Sequence, residues 1–420
     1  MAVVVVLAAV QAALGDDRAD PGADDVAPTS ALGPVPVEGA PLGWERLEDL
    51  PLTPRATAAT AWTGEEVLVL GGSTFRCPPG ADCSAPTEAP LRDGAALDPD
   101  TGTWRPVADA PMGFAGASTA VLGDDVYLRT RDLRPTGGSA FLRYSVEDDT
   151  WTRLPDAGVG GELVATDDRL VLVRATDERG EAPDRAFDPA QGMWSDLPDD
   201  PLPPSFDRTA QWDGSRLYLF GKEVVPSPGS EKPAVVLAAR LDPASGSWER
   251  LPDSEIIGFG PWLASEGQLT LAALGGADGG EVNGWGREYP SGGAFLVGPD
   301  RWRALPPPSS AVFDREGGRV AGPRPPPEAG PLPPAAAGAF GREAATYQAV
   351  ASRSGDRGPL VLDVTRHRWL AMEPLPGSDP VDEHTVVAAG RDAVVVGGVR
   401  WAGQAEGRLV DDTWIWRPPG

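Results

Sequence analysis

From residue 56 onward, apolar runs of four to seven residues alternate with short polar turns. The first set reads ATAATAW (56–62), TGEE, VLVLGG (67–72) and GAALD (94–98). After Trp104 come GASTAVL (116–122), GDD, VYLRT and FLRYS, and after Trp194 come RTAQW (208–212), DGS, RLYLFG and VLAARLD. The last set is HTVVAAG (384–390), RD, AVVVGG and DTWIW (412–416). Runs of this length, bounded by Gly, Asp and Pro, predict β-strands. No segment sustains a 3.6-residue period between helix caps, so almost no helix is expected.

A Trp closes each set, just after an acidic or Gly-containing turn: DPDTGTW at Trp104, EDDTW at Trp151, DPAQGMW at Trp194, DPASGSW at Trp248, GPDRW at Trp302 and DVTRHRW at Trp369. Trp44 begins the series, and the spacings are 60, 47, 43, 54, 54 and 67 residues. A Pro commonly follows (WTRLP, WSDLP, WERLP, WRALP) and ends the strand, because it has no donor N–H. Each unit thus holds three strands, a turn, and a fourth strand starting at Trp. Units of about 50 residues and four strands are the mark of a β-propeller, in which each sheet buries both faces against its neighbours.

The Gly pairs at 71–72, 275–276 and 397–398 end second strands, and Leu97-Asp98, Phe187-Asp188 and Leu241-Asp242 each stand six residues before a repeat Trp. In these features the chain resembles the kelch family and the central domain of galactose-oxidase-like proteins, over residues 44–416. The resemblance implies an all-β, seven-bladed kelch-type propeller with four-stranded blades. The chain begins on a fourth strand (WERL) and ends on a third (DTWIW), so the N-terminal strand is expected to complete the C-terminal blade. The sixth unit departs most: PRPPPEAGPLPP (323–334) reads as an inserted loop, with strands expected near 335–341, 344–350 and 359–364.

The ends differ in composition. Residues 1–15 (MAVVVVLAAVQAALG) resemble the apolar part of a secretory signal or an anchor, though without its basic start. Residues 16–42 are acidic and rich in Pro, Ala and Gly, and read as a disordered linker; residues 43–418 would form the propeller. These features predict a secreted or cell-envelope protein, extracytoplasmic, with N-terminal membrane association an open alternative, and a monomer. Net charge is −26 with no basic block, which argues against nucleic acid as a partner. The chain has 14 Trp, which argues against a chain that stays unfolded. Of its 36 basic residues only Lys222 and Lys232 are lysines.

Two Cys and two His exclude a multi-His metal centre or an iron–sulfur protein. The copper site of galactose-oxidase-like enzymes needs two His and two Tyr; here His367 precedes a fourth strand and His384 a first strand, too far apart to share a metal. No metal and no cofactor are expected. DPDTG (98–102) partly matches a calcium loop but lacks its third ligand and distal Glu, and reads as a turn. The turns also resemble a sialidase Asp-box one residue short. Arg55 and Arg208 could be two arginines of a sialidase triad, or structural caps on neighbouring carbonyls. Cys77 and Cys83, in RCPPGADC, are expected to form a disulfide if the chain is exported.

The residues leading into first strands would form the channel mouth: Arg55, Phe114, Asp207, Arg208, Phe259 and His384. The loop 275–292 adds Trp285 and Tyr289. Arg beside aromatics suits a sugar, a peptide or an anionic group. The expectation is a non-enzymatic module that binds a protein, peptide or carbohydrate, with no catalytic residue assigned. The alternative is a carbohydrate-active hydrolase or lyase at the same mouth, which a cluster of carboxylates with Arg would favour. A partner-docking scaffold is the third reading.

Overall fold

The computed structural model describes residues 37–78, 83–84, 86–131, 134, 138–158, 160–177, 183–226, 234–256, 262–265, 267–272, 292–305, 347–350, 360–364, 368–373, 375–376, 381–402 and 406–418. These residues are all-β, with no helix among them. Five successive four-stranded antiparallel sheets each run in chain order. Sheet 1 holds Ala59–Trp62, Val67–Leu70, Gly94–Asp98 and Thr103–Val107. Sheet 2 holds Ala117–Leu122, Asp125–Arg131, Ser139–Ser145 and Thr150–Leu154. Sheet 3 holds Glu162–Ala165, Leu170–Val173, Arg185–Asp188 and Met193–Asp196. Sheet 4 holds Ser205–Trp212, Leu217–Glu223, Val236–Asp242 and Ser247–Arg250. Sheet 5 holds Leu263–Ser265, Gln268–Ala272, Gly292–Leu296 and Arg301–Ala304.

Sheet 6 contains Tyr347–Val350, Leu360–Asp363 and Arg368–Met372, matching the strands expected near 344–350 and 359–364 and at Trp369. The strand expected at 335–341 lies outside the described residues. Val37–Leu42, assigned to the linker on composition, instead forms a strand parallel to Arg368–Met372. It covers a sheet edge that would otherwise present unpaired backbone groups. Sheet 7 holds Thr385–Ala389, Asp392–Val396, Thr413–Trp416 and, on its outside, Glu45–Arg46. Glu45 lies opposite Ile415 and Arg46 opposite Trp414, so the two ends of the chain pair as expected. A small sheet of Val381–Asp382, Val399–Ala402 and Glu406–Leu409 branches from sheet 7.

The first strands of sheets 7, 1, 2, 3, 4 and 5 lie side by side in that order. The second strands Val67–Leu70 and Leu170–Val173 are buried along their whole length because both sheet faces are covered. Val67 and Val69 pack toward Val387, Val394, Val396 and Ile415 of sheet 7. Leu68 and Leu70, pointing the other way by the two-residue period, pack toward Val126 and Leu128 of sheet 2. In sheet 3, Leu170 and Leu172 face sheet 2 while Val171 and Val173 face sheet 4. Each such side chain contributes about 1.5–3 kcal/mol by leaving water. This explains the unbroken VLVL runs, where a sheet wetted on one face would alternate.

The glycine pairs at 71–72 and 397–398 let the next sheet's lead-in approach, and the pair at 275–276 lies outside the described residues. Gly71 and Gly72 have φ of 61° and 108°, and the Gly72 N–H donates to the Phe114 carbonyl at 2.8 Å. A Cβ on Gly71 would lie 2.7 Å from both the Phe114 ring and its carbonyl oxygen. In sheet 7, the Gly398 N–H donates to the Arg55 carbonyl at 2.9 Å in the same way.

The repeat tryptophans stitch neighbouring sheets. The indole N–H of Trp104 donates to the Glu48 carbonyl, Trp151 to Ala108, Trp194 to Pro155, Trp248 to Pro198 and Trp302 to Pro252, at 2.7–2.9 Å. Each acceptor stands four residues beyond the preceding repeat Trp. Trp44 follows the rule across the chain ends, donating to Glu373, four residues beyond Trp369, at 2.8 Å.

Candidate functional site

A cavity of about 380 Å³ opens where the first strand of sheet 4 begins and its second strand ends. Its polar wall comes from Glu162, Asp207, Arg208, Thr209 and Lys222, and its apolar wall from Phe220, Trp262 and Leu271. A bulge in the first strand builds it: pairing with the second strand is broken between Phe206 and Thr209. Asp207 takes φ of 48°, a conformation that Asp tolerates better than most residues. Bulges commonly re-aim side chains beside binding sites.

The two bulge residues point to different partners. Arg208, 4 % exposed, turns inward; its Nη2 lies 2.7 Å from Asp184 Oδ2 and 3.0 Å from Asp200 Oδ2, and its Nη1 donates to Ser205 Oγ at 3.0 Å. Burial opposes its charge, but the two carboxylates outweigh this and raise its pKa further. Asp207 stays exposed and lies 3.6 Å from Lys222 Nζ. Lys222 is 1 % exposed and sits over the Phe206 ring, 5.8 Å from its centroid. The register explains this, since Phe206 and Lys222 are cross-strand partners.

Opposite them, Thr209 Oγ1 donates to Glu162 Oε2 at 2.7 Å. Glu162 reaches water, yet protein surrounds it, and that desolvation pushes its carboxyl above the ordinary range. Trp262 stacks flat on Phe220, with centroids 3.8 Å apart. The site therefore offers an ammonium, a carboxylate, a carboxyl that holds its proton above the usual pH and an aromatic wall. Among the described residues, no three His, Cys, Asp or Glu side chains gather as metal ligands.

Of the expected mouth residues that are described, only Asp207 and Arg208 line this cavity. Arg55 is 2 % exposed and bound inward: Nη1 and Nη2 reach the Asp93 carboxylate at 2.9 and 3.0 Å, Nη1 reaches the Gly71 carbonyl and Nε the Thr53 carbonyl. These contacts cap neighbouring carbonyls, and Arg55 is not among the residues that line this cavity. Those hydrogen bonds keep the Asp93 carboxyl below its usual range. Phe114 is fully buried in the core between sheets 1 and 2, edge-on to Trp151. His384 is half-buried with Nδ1 3.1 Å from the Val381 carbonyl, and burial lowers its pKa, so it adds no charge near neutral pH. A mouth made positive by Arg55, Arg208 and His384 is therefore not what these residues build. Phe259, Trp285 and Tyr289 lie outside the described residues.

Cys77 and Cys83 form the expected disulfide, with Cα atoms 5.9 Å apart. DPDTG is the expected turn, as Asp98 Oδ1 accepts the Asp100 and Thr101 N–H groups. Sequence reasoning missed Lys222, Glu162 and Trp262. The available signals were one of only two lysines in a chain whose other 34 basic residues are arginine, and a Trp off the repeat position. No protein-family model and no curated protein matches the chain.

Proposed function

We propose that the chain is an exported kelch-like propeller of seven blades, closed by its N-terminal strand, that acts as a non-enzymatic binding module. Its ligand would be a polar, saccharide-sized molecule held in the cavity of sheet 4. Closure is supported by the pairing of Glu45–Arg46 with Thr413–Trp416 and by the Trp44–Glu373 hydrogen bond. Export is supported by the disulfide, which persists in oxidising compartments, and by the apolar N-terminus. The observation that carries the binding reading is Lys222. Its side chain is buried yet lines an open cavity, with its ammonium 3.6 Å from the Asp207 carboxylate, so a polar ligand entering there would meet a charged donor and an acceptor side by side. A ligand of hydroxyl groups would meet donors and acceptors on one wall and the Phe220–Trp262 side on the other.

The test is a glycan array followed by calorimetric titration of any hit, with Lys222→Met as the variant. Binding should fall at least about ten-fold, the scale of one charge-assisted hydrogen bond, while the melting curve stays cooperative. Unchanged affinity in Lys222→Met would place the ligand elsewhere.

A hydrolase or lyase acting on carbohydrate is the second reading. It is favoured by Glu162 and Asp207 lining one cavity with unlike environments, one carboxyl pushed up and the other beside an ammonium. Turnover of a glycan in a product-release screen, lost in Glu162→Gln, would establish it.

A further inference from the structure

A second cavity, of about 600 Å³, lies between the segment leading into the disulfide loop and the hairpin Val399–Ala402 with Glu406–Leu409. Arg76, Arg400 and Arg408 line it, although the chain carries a net charge of −26. Arg400 and Arg408 are direct cross-strand partners, and like charges set opposite each other destabilise a sheet. Arg400 reaches Asp412 at 2.9 Å, and Asp412 also takes Arg46 at 3.2 Å. The Arg408 side chain is exposed and has no hydrogen-bond or ion-pair partner among the described residues.

Arg76 completes the cluster from the other side. Its Nη1 donates to the Gly407 carbonyl at 2.7 Å, which fixes the guanidinium beside the hairpin. It directly precedes Cys77, so the disulfide restrains the backbone that carries it. Trp401, 4 % exposed, forms part of the wall, and its indole N–H has no partner among the described residues. Among the described residues, Glu406 is the one acidic side chain lining the cavity.

We propose that this cavity binds an oxyanion group of a ligand: a carboxylate, sulfate or phosphate. Guanidinium groups offer planar paired donors that match such groups, and an anion between Arg400 and Arg408 converts their repulsion into a shared attraction. The site is separate from the sheet 4 cavity and does not rest on it. It takes over the anionic recognition that the sequence assigned to Arg55, Arg208 and His384.

The test is calorimetric titration of the full chain, at low ionic strength, with sulfate, inorganic phosphate and citrate, using chloride as reference. The three arms separate tetrahedral oxyanions from carboxylates. Wild type should bind at least one of them over chloride, and Arg408→Gln should weaken that binding at least about ten-fold. Arg408 is exposed and unpaired, so this variant keeps its fold. Arg153→Gln removes an equal charge from an exposed strand outside the cavity and should leave the affinity unchanged. The proposal fails if wild type binds none of the three. It also fails if Arg408→Gln binds as well as wild type, or if Arg153→Gln weakens binding equally.

Discussion

Glu162 lines the sheet 4 cavity with its carboxyl pushed up by desolvation, and that shift has a sign that can be measured. Protein surrounds Glu162 and raises its folded-state pKa above the unfolded value, while Thr209 Oγ1 donates to it. The folded chain therefore binds more protons than the unfolded one over the window between those two values. Stability should fall as pH rises through that window, which opens at about 4.3, the ordinary Glu value. Glu162→Gln keeps an acceptor for Thr209 and removes the titration. Its melting temperature should exceed that of wild type at pH 7 and match it below pH of about 4. Thermal denaturation at both pH values checks this; a Glu162→Gln chain less stable at pH 7 would show that the carboxylate is a structural asset. Asp93 has the opposite sign. Its pKa is held down by Arg55, so that contribution is present above the ordinary carboxylate range and lost as pH falls through the lowered value.

At the scale of elements, the repeat Trp does two jobs that the spacing alone could not separate. Its ring packs on its own sheet, as Trp302 does on Phe295 with centroids 5.1 Å apart, and its indole N–H bonds a carbonyl from the turn after the preceding fourth strand. The environments differ along the series: Trp302 is 6 % exposed, whereas Trp248 is half-buried. Replacing either by Phe removes the donor and some ring area. Trp248→Phe should cost about 0.5–1.5 kcal/mol, since water can replace a lost bond there. Trp302→Phe should cost more, because a smaller ring leaves a void in a packed site. Denaturant midpoints for the two variants decide; an equal or smaller loss for Trp302→Phe would break the argument. The strands themselves were legible because both their faces are apolar, as in Val67–Leu70 and Leu170–Val173. The Pro that follows Trp151, Trp194 and Trp248 reads as a strand end, but that its carbonyl accepts the next indole could not be read. That bond joins Trp194 to Pro155 and Trp302 to Pro252, pairs set by the stacking of sheets.

For the whole molecule, the decisive region is the short stretch from Val37 to Leu50. Its composition reads as linker up to residue 42, since Pro, Gly and acidic residues leave no alternation. Yet Val37–Leu42 pairs with Arg368–Met372, because a sheet edge needs backbone partners and not a particular side-chain pattern. The candidate site escaped prediction for a similar reason. Position in a first strand located Asp207 and Arg208, but the bulge that sends Arg208 inward to Asp184 and Asp200 is a three-dimensional event.

The same stretch offers the sharpest test of the architecture. A chain starting at residue 37 keeps both terminal strands. A chain starting at residue 43 loses the parallel strand on sheet 6 but retains the Trp44–Glu373 bond and the pairing of Glu45–Arg46 with Thr413–Trp416. A chain starting at residue 51 loses these as well, together with Leu50, which is 2 % exposed between sheets 1 and 7. Removing one buried Leu side chain alone costs about 2–5 kcal/mol. Melting temperatures should therefore descend in that order, with the larger step between the second and third chains. That step should also bring hydrogen exchange at Thr413–Trp416, whose outer backbone groups lose their partners. If the chains starting at 43 and 51 melt together, the N-terminal strand does not hold the ends of the molecule, and the closed propeller is wrong.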